Sequence, residues 1–322
     1  MKFKCCDFLL HEIVFAQAEV IPCCCSPKHE YETRFLKNFN GGEFDAEEYI
    51  KQKEQYINLF KEGKTPDCCV GCSMIREEAW DETNTIKRII ISNRTKCSCN
   101  CIYCSLVTTS NQTKEELNTR KAYDIIPVLK DLRSKNLIGK NCEILVAGGE
   151  CCEYPVGELD EIIYLATQLE CKLEILSSGI IFSSAIENAL KNGKTTLKVS
   201  VDSGYKKTYE KIKRVKAYNR VWDNLKQYIA STSFNNSSIV KIKYIILPSL
   251  NDNKREVLKF IDNCKKINCK NIEIAIEYIW YGENKNKPIN KNIEKIVAIF
   301  EKSGLNISFE MQCLDYLKKI GH

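Results

Sequence analysis

Three cysteines hold the chemistry that the rest of the chain has to position. Cys97, Cys101 and Cys104 are spaced C-x-x-x-C-x-x-C directly after the apolar run Ile86 to Ser92, so a strand delivers three thiolates into one tight loop. Three sulfur ligands wrap a four-iron cluster incompletely. The open corner can bind a substrate or cofactor and pass it an electron. Structural zinc takes four protein ligands instead, commonly from two C-x-x-C pairs. Cys99 offers a fourth thiol, but C-x-C-x-C on one loop makes an awkward tetrahedron.

Glycines and small polar residues stand at the ends of the later apolar runs. Cys142 to Ala147 leads into Gly148-Gly149-Glu150, where two glycines let the backbone approach a ligand and turn its amides and carbonyls toward an ammonium or a carboxylate. Ser177-Ser178-Gly179 and Ser200-Val201-Asp202 end the next two runs and supply hydroxyls and a carboxylate suited to ribose. Arg214, in Lys211-Ile212-Lys213-Arg214, is a bidentate donor for a carboxylate or a surface cation of a basic helix. Cys151 and Cys152 follow Glu150 and are either hydrogen-atom donors or packing residues. The three histidines, His11, His29 and His322, pair with no nucleophile, so a hydrolase triad has no support.

The elements that position these residues alternate in type. Apolar, β-branched runs at Ile86 to Ser92, Cys142 to Ala147, Lys172 to Ser177, Thr196 to Val201, Val240 to Leu247 and Asn271 to Tyr278 read as strands. Thr113 with Glu116 forms a capping box before a helix over Leu117 to Leu132, Ser184 with Glu187 opens another, and Asn253 to Ile267 is a third. A further helix and strand follow at Lys291 to Lys302 and Asn306 to Glu310. Six βα units in succession imply an α/β fold with a parallel sheet, and the pattern suits an incomplete (β/α)6 barrel of TIM type more than a doubly wound sheet. Chemistry in such sheets sits at the C-terminal strand ends, where the cysteine loop, Gly148-Gly149-Glu150 and the serines fall.

Taken in order, these motifs resemble the radical S-adenosylmethionine (radical SAM) superfamily. The resemblance implies that Cys97, Cys101 and Cys104 hold a 4Fe-4S cluster whose open iron chelates S-adenosyl-L-methionine. It further implies that Gly148, Gly149 and Glu150 bind the methionyl amino group, and that Ser177, Ser200, Asp202 and Arg214 reach ribose and carboxylate. The implied activity is reductive cleavage of that cofactor to a 5'-deoxyadenosyl radical, which takes hydrogen from a peptide, protein or small-molecule substrate. An electron donor such as flavodoxin or ferredoxin would serve as partner.

Residues 1–80 hold eight of the 19 cysteines: Cys5, Cys6, Cys23 to Cys25, Cys68, Cys69 and Cys72. With one helical stretch, Asp45 to Lys61, they read as a small metal-stapled domain, because so little core does not hold itself together unaided. This run resembles the SPASM-type auxiliary module of radical SAM enzymes, which implies an auxiliary iron-sulfur cluster on Cys5 (or Cys6), Cys23 (or a neighbour), Cys69 and Cys72. Structural zinc is the rival occupant. Two departures stand out, since that module normally follows the barrel, and Gln17, Ala18 or Glu19 replaces the usual hairpin glycine. The expected division is 1–80 for this domain, 81–285 for the barrel and 286–322 for a helix-strand-helix extension.

Clustered cysteines fit a reducing cytoplasm better than a secreted disulfide scaffold, and Asp7, His11 and Glu12 interrupt any signal-peptide core. No apolar run nears the ~18 residues of a membrane helix. The net charge of +6 is spread through many Lys- and Asn-rich segments, so it marks no nucleic-acid patch. A non-catalytic zinc-binding cysteine-rich protein contacting nucleic acid or a partner protein is the alternative reading. It gives the Gly-Gly-Glu and Ser-x-Asp strand ends no purpose.

Overall fold

A computed structural model describes residues 2–17, 19–23, 36–37, 39, 41, 44–72, 74–108, 113–119, 122–232, 239–284, 287–288 and 290–318. In chain order the elements begin with β1 (Lys2–Cys5), α1 (Asp7–His11), β2 (Glu12–Ala16), β3 (Glu19–Ile21), β4 (Leu36–Lys37), α2 (Ala46–Lys61), β5 (Arg76–Ala79) and β6 (Ile86–Ile91). Next come α3 (Ser105–Thr108), α4 (Lys114–Thr119), α5 (Ile126–Ser134), β7 (Ile138–Val146), α6 (Glu158–Gln168), β8 (Lys172–Ser177), α7 (Ser184–Asn192) and β9 (Thr195–Ser200). The chain continues through α8 (Lys206–Lys213), α9 (Tyr218–Ser231), β10 (Ile239–Ile246), α10 (Lys254–Lys266), β11 (Asn271–Ile276), α11 (Tyr278–Asn284), α12 (Lys291–Glu301), β12 (Asn306–Phe309) and α13 (Met311–Leu317). Contacts divide the chain into two units, Met1–Thr95 with Arg120–Glu174 and Lys96–Thr119 with Ile175–His322.

In the first unit β6 pairs in parallel with β7 on one side and with β2 on the other, while β3 returns antiparallel along β2. Ile89 and Ile91 of β6, Ile144 and Val146 of β7 and Phe15 of β2 are fully buried, and the buried Ile90 shows that β6 is covered on its other face as well. Each such side chain contributes about 1.5–3 kcal/mol by leaving water. β2 is a strand that the cysteine-rich reading of residues 1–80 did not single out; Ile13, Val14 and Phe15 are too short a run to stand apart from the cysteines around them. Helix α2 matches its expectation, with Asp45 capping the Glu48 N–H and Tyr49, Lys53, Ile57 and Phe60 on its buried stripe.

In the second unit β9, β10, β11 and β12 are neighbours in sequence order and run parallel. The unit packs Tyr244 of β10 against Phe260 of α10 and Phe300 of α12, with ring centroids 4.7 and 5.2 Å apart. Strand positions agree with the apolar runs to within a residue or two, apart from β7, which starts four residues early at Ile138.

One expected helix is corrected. The helix over Leu117 to Leu132 is two helices, α4 and α5. The Thr113–Glu116 box does open α4, with the Glu116 N–H donating to Thr113 Oγ1 at 3.2 Å. The break falls before Pro127, where the Asp124 carboxylate accepts from the Ile126 N–H at 2.9 Å and starts α5 afresh. The second cap also moves by one residue, since Ser183, not Ser184, accepts from Ile186. Among the described residues no helix is long and apolar enough to cross a membrane.

Candidate metal and cofactor site

The cysteine loop belongs to the second unit, where the end of α8 holds its backbone. The Asn100 N–H donates to the Lys213 carbonyl at 3.1 Å, and the Ile102 N–H donates to the Ile212 carbonyl at 3.0 Å. At the loop's entry the Cys97 N–H donates to Asn118 Oδ1 at 3.2 Å, and at its exit the Cys104 N–H donates to the Cys101 carbonyl at 3.1 Å. Cys97, Cys101 and Cys104 are each partly exposed, whereas Cys99 is buried.

The thiols are not alike. Cys101 is pushed down to about 6, first by a hydrogen bond from the Cys99 thiol, then by the Lys213 ammonium and a hydrogen bond from Tyr103, against the opposing cost of burial. Cys99 moves up, held protonated by its hydrogen bonds to Cys101 and Cys97 and by burial. The three partly exposed thiols are the ones accessible to a cluster, while the buried Cys99 packs beneath the loop.

Behind the loop lies a buried polar network. The Lys213 ammonium stands 2.6 Å from Asp202 Oδ2, with 3% and 0% of the two side chains exposed. The Tyr103 hydroxyl donates to Asp202 Oδ2 and accepts from Lys213, both at 2.5 Å. Asp202 Oδ1 accepts from the Ile245 N–H, and the Asp202 carbonyl accepts from Asn251 Nδ2, each at 2.8 Å. Both carboxylate oxygens expected to face a ribose are therefore engaged inside the protein. Ser200 is half-buried at the end of β9, and Ser177 Oγ accepts from the Gly179 N–H at 3.0 Å. Arg214 is exposed and ends α8 in the left-handed region at φ 53°.

Lys213 and Asn251 were missed in the sequence. A lysine in a basic run looks solvated, although Tyr209, Ile212 and Lys213 share the buried face of α8. Tyr209, one turn earlier, has a buried hydroxyl with no hydrogen-bond partner among the described residues.

In the first unit the chain leaves β7 through Gly148 and Gly149, at φ 79° and 58°. A Cβ on Gly148 would meet Ser92 Oγ at 2.7 Å and the Arg94 carbonyl at 2.8 Å, so a side chain is excluded. The Glu150 carboxylate is 1% exposed and accepts from the Cys152 N–H at 3.2 Å, which starts the turn Cys151–Glu153. Glu150, Cys151 and Cys152 offer three ligand atoms within 4.8 Å of one another. Cys151 is buried, and its thiol is pushed up by a hydrogen bond with Cys152, then by burial and the Glu150 charge.

The N-terminal thiols also lie in the first unit. Cys68 and Cys69 place their sulfurs 3.7 Å apart, and the Cys72 N–H turns back to the Cys69 carbonyl at 3.0 Å. The Cys69 thiol is raised by its hydrogen bond with Cys68, then by burial and by the charges of Cys68, Cys23 and Cys6. Cys5 has other neighbours. Its sulfur donates to the Cys6 carbonyl at 3.9 Å, and its charged neighbours are Glu82 and Lys61. Strand alternation explains the difference: Cys5 is buried on the same face of β1 as Phe3, and Cys6 follows it to cap α1, accepting from the Leu9 N–H at 3.4 Å. Cys24 and Cys25 fall outside the described residues.

Comparison with known proteins follows the same lines. The chain is 23% identical over 183 residues to GTP 3',8-cyclase of Clostridium botulinum strain Okra, a match covering 56% of this chain and 53% of the cyclase. It thus spans about half the length of the curated relatives it matches. The structure of SuiB from Streptococcus suis bound to its precursor peptide SuiA shares the fold, with a TM-score of 0.53 and 13% identity over 88% of this chain and 70% of SuiB. SuiB bound to S-adenosylmethionine aligns with a TM-score of 0.54 and 14% identity over 84% of this chain and 57% of that one. The fold class is accordingly α/β, a mostly parallel sheet of the partial TIM-barrel type. The family model described as the Radical SAM superfamily matches residues 94–261, more than half of the sequence, and the chain belongs to that superfamily.

Proposed function

We propose that this chain cleaves S-adenosylmethionine reductively and uses the resulting 5'-deoxyadenosyl radical to take hydrogen from a peptide or protein substrate. The observation that carries this reading is the loop of Cys97, Cys101 and Cys104, whose three thiols are partly exposed and whose backbone amides at Asn100 and Ile102 are held by the Lys213 and Ile212 carbonyls. A 4Fe-4S cluster held there supplies the single electron for sulfonium cleavage. Cys97, Cys101 and Cys104 serve as its ligands, and the α8 carbonyls keep their loop in shape. Gly148 and Gly149 free the backbone for the methionyl amino group, with the Glu150 carboxylate as its acceptor. Ser177 and Ser200 are assigned to ribose and Arg214 to the carboxylate, whereas the engaged Asp202 holds Tyr103 and Lys213 in place.

The substrate class is favoured by the likeness to SuiB, whose structure holds a precursor peptide; the cyclase relative leaves nucleotides as the second reading. An auxiliary iron-sulfur cluster is assigned to residues 1–80, on Cys6, Cys23, Cys69 and either Cys68 or Cys72. A flavodoxin- or ferredoxin-type donor in a reducing cytoplasm would supply electrons.

The test is anaerobic reconstitution with iron and sulfide, followed by reduction in the presence of S-adenosylmethionine. The expected result is iron uptake and release of 5'-deoxyadenosine, both lost from the Cys97 site when Cys97, Cys101 and Cys104 are replaced together by Ala. A protein that takes up zinc alone, or a triple variant with undiminished yield, refutes the assignment; the zinc result would favour the non-catalytic reading.

A further inference from the structure

The sheet of the second unit carries charge on the face turned away from its helices. Tyr244 of β10 points to Phe260 of α10 and Phe300 of α12, so strand alternation turns Lys243 to the opposite face. In the parallel register Ser200 of β9, Lys243 of β10, Glu273 of β11 and Ser308 of β12 stand side by side, which makes one polar row across four strands. The matching layer of a closed barrel is filled by bulky branched side chains. Two ion pairs cross the row. Lys198, two residues before Ser200, reaches Glu273 at 2.8 Å, and Lys243 reaches Glu310, two residues beyond Ser308, at 2.7 Å. The acids differ: the Glu273 side chain is 8% exposed, whereas that of Glu310 is 38% exposed. The first pair is closed and braces β9 against β11. The second holds a largely buried ammonium whose one carboxylate partner among the described residues is open to solvent. An ion pair with an exposed partner adds little to stability, so folding alone gives Lys243 small reason to carry its charge there.

We infer that Lys243 anchors a carboxylate of the peptide substrate, with Glu310 holding that place until the substrate arrives. The inference rests on the function proposed above and names the chemistry of its substrate, an acidic side chain or the C-terminal carboxylate of a peptide. Glu310 demonstrates that a carboxylate fits against this ammonium at 2.7 Å. An ammonium has three donors, so a second carboxylate can engage before the first lets go. Exchanging one carboxylate for another keeps the local charge constant, and the largely buried ammonium is never left unpaired. Ser200, assigned above to ribose, is the neighbour of Lys243 in the row, which sets the anchored group beside the cofactor's place.

The probes are labelled octapeptides of alternating Ala and Glu or alternating Ala and Gln, each as the free acid and as the amide. They are titrated onto the reconstituted protein by fluorescence anisotropy at about 0.15 M salt, where long-range charge effects are screened. Peptides that carry the preferred carboxylate should bind about tenfold tighter. A preference kept by the amidated Glu peptide assigns the side chain, and one confined to the free acids assigns the terminus. Glu310→Gln releases Lys243 from its internal partner and should tighten the preferred peptide about threefold, whereas Lys243→Met should abolish the preference. Lys266→Met, which removes the same charge from an exposed position on α10, should keep it. A wild type that binds all four peptides alike, a Glu310→Gln variant that binds no tighter than wild type, or equal loss in the Lys243 and Lys266 variants overturns the inference. Release of 5'-deoxyadenosine by the wild type without peptide is measured in parallel, so these failures leave the cofactor reading standing. A wild type that releases none overturns the proposed function and this inference with it.

Discussion

Replacing Gly148 with Ala measures how closely the backbone is packed where β7 opens toward the candidate site. Gly148 sits at φ 79°, and an added Cβ would approach Ser92 Oγ to 2.7 Å and the Arg94 carbonyl to 2.8 Å. The left-handed conformation alone costs an alanine about 1–2 kcal/mol. The Ser92 hydroxyl can rotate away, but the Arg94 carbonyl belongs to the main chain between β6 and the cysteine loop, and displacing it adds about 1–3 kcal/mol. The sum is a loss of about 2–5 kcal/mol. Gly157 provides the control, with φ 84° and nothing within 4 Å of its Cβ position, so Gly157→Ala should lose only the conformational part, about 1–2 kcal/mol. Urea unfolding of the two metal-free variants, compared through midpoint and slope, reads the difference. If the two variants lose the same stability within about 0.5 kcal/mol, Gly148 is not packed against the Arg94 carbonyl and the close-approach reasoning fails.

Two further outcomes follow from particular buried groups. Lys53 is 1% exposed and donates to the Leu10 carbonyl at 2.8 Å; burial pushes its ammonium down to about 8, against an ordinary value of 10.5. The unfolded chain therefore binds more protons between those values, and stability should rise with pH across that window. From pH 8 to 9.5 the wild type should gain about 1.5 kcal/mol relative to Lys53→Met in urea unfolding, and parallel pH profiles would refute the burial of a charged lysine. At the N-terminus, Cys6→Ser should remove the metal bound by residues 1–80, whereas Cys5→Ser should retain it. Elemental analysis of reconstituted protein checks this, and equal loss in both variants would restore Cys5 to the ligand set.

Much of the architecture was legible because it is written in local patterns. A strand with a buried face reads as a short run of apolar residues, so Lys172–Ser177 could be placed to the residue, whereas the neighbouring β7 begins four residues ahead of its run. Caps announce helices: Thr113 accepts the Glu116 N–H as expected, whereas the cap expected at Ser184 is Ser183. The helix across Leu117 to Leu132 failed because periodicity continues through a turn whose break rests on Asp124 and Pro127. Nor did sequence mark Tyr209 and Lys213 as different from other residues of a basic helix.

The amino-acid sequence by itself determined the order of strands and helices, the three-cysteine spacing and the glycines after β7, because each depends on residues close along the chain. Only the tertiary structure decided that Asp202 turns inward to Lys213 and Tyr103, that Cys5 is buried on β1 while Cys6 caps α1, and that Tyr209 buries a hydroxyl without a partner among the described residues. Those choices belong to packing: residues 99 and 110 positions apart meet in one buried network, where low dielectric makes every unpaired polar group costly and so dictates which ones pair.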